Sequence, residues 1–105
     1  VRTLIELAIA HRGALHVPAG VVAQAWRDGA RQLRIARLLR SVSVAITALD
    51  DDEARAVGAL CRQTGAFDVI DASVALLARR HGARVVTSDP GDIQRIDPDL
   101  DLVTC

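Results

Sequence analysis

The chain has 105 residues and a formal net charge of zero, with 13 basic residues balanced by 13 acidic ones. That length gives the expectation of one domain spanning residues 1–105, and with half of its residues hydrophobic it has material for a modest core. Zero net charge argues against coating of nucleic acid by bulk positive charge, while still allowing a local basic face. No apolar run approaches the roughly 20 residues that span a bilayer, and no cleavable leader pattern is visible, so the expectation is a cytoplasmic protein with no membrane partner.

In chain order, residues 4–11 read as the end of a helix stopped at Gly13. Residues 14–17 read as a short strand ended by Pro18, and residues 21–26 as a helix broken by Asp28-Gly29, with Trp26 packing into the core. Residues 30–40 are expected to be helical, and the β-branched stretch 42–48 to be a strand. Asp50 then stands at an N-cap with Glu53 three residues on, and the helix it starts runs to about Gln63 before Gly65. A further helix is expected over 69–81, closed by Gly82, followed by a strand over 84–87. Asp89-Pro90 opens a short helix, and residues 100–104 form a last strand. Helices alternating with short strands predict an α/β sheet with helices on its faces, and such sheets bind ligands beyond the carboxyl ends of their strands.

Eleven of the 13 acids are aspartates, and most of them have local explanations as caps or turn residues. Two pairs are harder to absorb. Asp68 and Asp71 are three apart at a helix start, so they share a face, and Asp71 sits within an apolar run where an unpaired carboxylate is costly. Asp89 and Asp92 repeat that spacing at a strand-to-helix junction. Each pair also reads as an N-cap with a first-turn acid. Clustered carboxylates are tolerated when a hard cation such as Mg²⁺ or Mn²⁺ neutralises them, and that cation can activate water at a phosphoryl centre. Arg31, Arg34 and Arg37 keep neighbouring guanidinium groups along one drifting stripe, which reads equally as a solvated helix face or as a surface for RNA phosphates. With Trp26 and Phe67 as the only aromatics, no stacking platform of the single-strand-binding kind is expected. Cys61 and Cys105 and the three histidines lack metal-ligand spacing, and no phosphate loop or nucleophile elbow is present.

The segment Asp68-Val-Ile-Asp-Ala-Ser-Val-Ala-Leu-Leu-Ala, with Gly82-Ala-Arg-Val-Val-Thr-Ser-Asp-Pro-Gly-Asp92-Ile after it, resembles the C-terminal half of PIN domains. It is most similar to the toxin nucleases of VapBC toxin–antitoxin systems and their bacterial relatives. The stretch Val17-Pro-Ala-Gly-Val-Val-Ala-Gln-Ala-Trp-Arg27 and the run from Arg31 to Leu39 look like the middle of that family. The resemblance implies a three-layer α/β/α domain with a central, mostly parallel sheet. It also implies Mg²⁺- or Mn²⁺-dependent cleavage of RNA, a small antitoxin protein as partner, and a homodimer. Residue by residue, Asp71 matches the acid of the family's Asp-Ala motif, Asp89 the acid after Thr-Ser, and Asp92 the frequent further acid. Asp68 is an auxiliary position, and Thr87 matches the hydroxyl residue that ends the preceding strand.

Two features depart from the family pattern. The usual first strand, which ends in an aspartate, has no counterpart, so an N-terminally shortened form with an opened sheet and a bare edge is expected. The second family acid, usually Glu, is Gln24, whose amide offers a carbonyl oxygen but no charge. The competing expectation is therefore a PIN-like module that binds antitoxin or RNA without cutting. A receiver-like domain would need a lysine, and the chain has none.

Overall fold

The computed structural model describes residues 8–11, 14–27, 29, 32–33, 44–87 and 90–104. The described elements are β1 (Ala8–His11), β2 (Ala14–Pro18), α1 (Ala19–Trp26), β3 (Val44–Thr47), α2 (Asp51–Thr64), α3 (Val69–His81), β4 (Arg84–Thr87), α4 (Pro90–Ile96) and β5 (Leu102–Thr104). The strands form one sheet in the order β3-β2-β1-β4-β5. β2 pairs with β3, and β4 with β5, in parallel, while β1 runs antiparallel to both β2 and β4. Four of the five strands therefore point the same way, and only the central one opposes them.

Local chemistry accounts for most element ends. Asp50 caps α2 by accepting a hydrogen bond from the Glu53 amide at 2.8 Å, and the helix stops where Gly65 turns left-handed at φ 76°. Asp68 caps α3, and Gly82 closes it at φ 58°, a conformation in which a Cβ would meet the following carbonyl. The chain from Asp50 to Thr87 thus follows its sequence signals closely.

β1 does not. Residues 8–11 form a strand where the sequence suggests the end of a helix, and residues 1–7 lie outside the described residues. Ala-Ile-Ala-His has weak preference for either state, and here it gains hydrogen-bonded ladders on both sides, pairing Ile9 with His16 and with Val85. Tertiary pairing outweighs a local pattern of that strength. The expected bare edge is corrected at the same time, because β1 fills the middle of the sheet and covers the inner edges of β2 and β4.

Helix α3 packs against β1, β2 and β4 and is the axis of the core. Its Val74, Leu77 and Ala78 join Val17, Val21, Val85 and Ile93 in one apolar cluster. Its Ala72 and Ala75 face Val57, Leu60 and Ile96 in a second. A helix buried on most of its circumference needs small side chains, and the alanines of α3 let α2 approach closely. Trp26, expected in the core, is instead exposed over 42% of its surface. The described residues include no helix long and apolar enough to cross a membrane.

Candidate active site

The start of α3 lies at the carboxyl ends of the parallel strands. Pro18 and Thr47, the last residues of β2 and β3, line an apolar groove together with Val69 and Ile70. At Gly20 the chain passes so close to Ile70 that an added Cβ would come within 3.3 Å of its Cγ1. Helix α4 begins three residues after β4 ends, at the same rim of the sheet. Two helix starts therefore converge where α/β sheets hold their ligands.

Asp68 is exposed and serves as the N-cap of α3, with its Oδ1 accepting from the amides of Ile70 at 2.8 Å and Asp71 at 3.1 Å. Asp71, one turn inside the helix, is buried. Asp92 stands in the first turn of α4, half-buried, and pairs with Arg95. All three aspartates line one cleft, whose walls also carry Phe67 and Arg95. Both first-turn acids benefit from the positive ends of their helices, which offsets part of their mutual repulsion.

The remaining expected site residues divide. Thr87 is buried at the end of β4. Gln24 is half-buried on α1 and is not among the residues that line the cleft. Asp89 lies outside the described residues, as do Arg31, Arg34 and Arg37. Among the described residues, no three His, Cys, Asp or Glu side chains form a group arranged to hold a metal ion. The carboxylate oxygens of Asp71 and Asp92 are nonetheless the hard donors that Mg²⁺ and Mn²⁺ prefer.

Two residues of the cleft, Phe67 and Arg95, are not among the expected site residues. Arg95 is announced by its i,i+3 spacing from Asp92, and Phe67 by its place directly before the cap of α3. Asp97, one of the aspartates with a local explanation as a cap or turn residue, is instead buried and binds Arg79 at 3.0 Å.

The strand order, with helices packed on the sheet, defines a small α/β/α domain, and comparison with known families gives that class its name. The chain belongs to the PIN domain family, whose model matches residues 2–97. PIN domains are in general nucleases that bind nucleic acid and use divalent metal ions, and they often pair with antitoxins. No curated protein and no solved structure matches the chain significantly.

Proposed function

We propose that this protein is a Mg²⁺- or Mn²⁺-dependent ribonuclease of the VapC-like toxin kind, cleaving RNA phosphodiester bonds. The observation that carries the reading is the convergence of buried Asp71 and half-buried Asp92 on one cleft at the carboxyl rim of the sheet. Asp71, Asp89 and Asp92 would hold the cation, which when bound neutralises phosphoryl charge and activates water. Asp68 lines the same cleft as Asp71 and Asp92, with one oxygen engaged in the helix cap. Thr87, buried at the end of β4, would help orient the site. Arg31, Arg34 and Arg37 would meet RNA phosphates. The reading brings with it a small antitoxin as restraining partner and a homodimer.

The test is cleavage of RNA by the purified chain with Mg²⁺ or Mn²⁺, repeated with Asp71→Ala and Asp89→Ala. Each substitution removes a charge that stabilises the transition state, so rates should fall by about a hundredfold or more while the fold persists. EDTA should abolish cleavage. Activity that survives Asp89→Ala removes that residue from the mechanism.

A second reading, a module that binds antitoxin or RNA without cutting, draws support from Gln24 in place of an acid and from the Arg95 guanidinium on Asp92. Calorimetric titration with Mn²⁺ separates the two, since a binding-only module shows no saturable site that disappears in Asp71→Ala.

A further inference from the structure

Phe67 is fully exposed, although moving a phenylalanine from water into a core is favourable. Gly65, Asp68 and Val69 near it are exposed as well, but the link is anchored from beneath: Ala66 on one side is half-buried and packs against the second apolar cluster. Beyond Asp68, Asp71 is buried. The ring stands on the short link between α2 and α3, with both neighbouring helix ends fixed, by Gly65 in the left-handed conformation and by the Asp68 cap. Its backbone is thus held while its side chain has been left outside, on the wall of the cleft that holds Asp71 and Asp92.

We propose that Phe67 is a base-stacking residue, holding a nucleobase of single-stranded RNA flat against its ring so that the adjoining phosphate lies over the acids. This rests on the ribonuclease reading and adds the substrate form and the residue that grips it. Three observations select a base over another occupant. The ring is single and flat, so it matches one base and not a broad apolar face. It shares its cleft with the carboxylates of Asp68, Asp71 and Asp92, which an apolar protein segment would shut off from water at a cost. Arg95, on the same wall, pairs with Asp92 through one amino nitrogen and is otherwise exposed, so its remaining N–H groups can meet a phosphate of the same strand. A base paired inside a duplex has both faces covered by its neighbours, so stacking here demands an unpaired nucleotide. One aromatic grips one base without reading its edge, which predicts weak sequence preference.

The experiment measures binding of a fluorescein-labelled single-stranded RNA by anisotropy, with Ca²⁺ to hold back cleavage, for the wild type, Phe67→Ala and Phe67→Trp. Base–aromatic stacking contributes roughly 1–3 kcal/mol, so Phe67→Ala should weaken binding by about 5- to 150-fold, and Phe67→Trp should restore it. An abasic nucleotide at one position should reproduce the loss in the wild type and add nothing further in Phe67→Ala. In cleavage assays KM should rise with kcat little changed. Because the ring is exposed, the thermal midpoint of Phe67→Ala should match the wild type.

Equal RNA affinity in wild type and Phe67→Ala overturns the proposal while leaving the ribonuclease reading intact. So does a sedimentation result in which Phe67→Ala dissociates a dimer without changing RNA affinity, which would assign the ring to a contact between copies. A wild-type chain that neither binds nor cleaves RNA overturns both.

Discussion

Asp68 and Asp71 sit one helical turn apart and meet different demands. The first is exposed and gives one oxygen to two amides; the second is buried among the apolar residues of α3. Substitution separates capping from charge. Asp68→Ala should lower stability by about 1 kcal/mol through loss of the cap, whereas Asp68→Asn, also a good capping residue, should cost only a few tenths. Both remove the same negative charge, so an auxiliary role toward the cation would show as equal losses of Mn²⁺ affinity in the two variants despite unequal urea midpoints. Loss of affinity in the alanine variant alone would make Asp68 purely a cap.

The long elements are tied together by a few polar contacts at their ends. Arg80 near the end of α3 pairs with Glu53 near the start of α2, as antiparallel helices require. Arg79 reaches the turn after α4, where Asp97 accepts from its Nε through Oδ2 and from the Asp99 amide through Oδ1, both at 3.0 Å. Asp97 is buried while Arg79 is half-exposed and can regain water, so the contact is worth less than a fully buried pair. Asp97→Ala should therefore cost about 1–2 kcal/mol, read as a lower urea midpoint with unchanged slope. Since Ile96 beside it packs against α2 and α3, the same variant should loosen the end of α4. Amide exchange in residues 93–96 faster than the global change explains would report this.

On the scale of the whole molecule, the central position of the sheet is held by a strand of opposite direction to the other four. A central strand uses its backbone groups on both sides, so proline there removes a ladder bond and clashes with the pairing. Ile9→Pro should destabilise the fold by about 2–3 kcal/mol, with Ile9→Val as the mild control. A proline variant that unfolds at the wild-type urea midpoint would show that β1 contributes nothing to the sheet. The same topology brings the ends of β2, β3, β4 and β5 to one rim, so the acids of α3 and α4 meet there although strand β4 separates their helices along the chain.

The sequence by itself determined the bounds of α2 and α3, the strands on either side of the β1 position, and the acids to test. Those features depend on signals acting over a few residues: an aspartate that caps, a glycine that turns left-handed, a β-branched run. The resemblance carried by Asp68–Ala78 and Gly82–Ile93 was enough to place the chain in its family. Tertiary structure decided the rest. Whether Ala8–His11 is helix or strand depends on the two strands that flank it, the adjoining β2 and the remote β4. Whether Asp97 is buried, or Trp26 and Phe67 exposed, depends on which surfaces the packed helices leave open. Pairing and burial are set by contacts between remote segments, and no local pattern of residues encodes them.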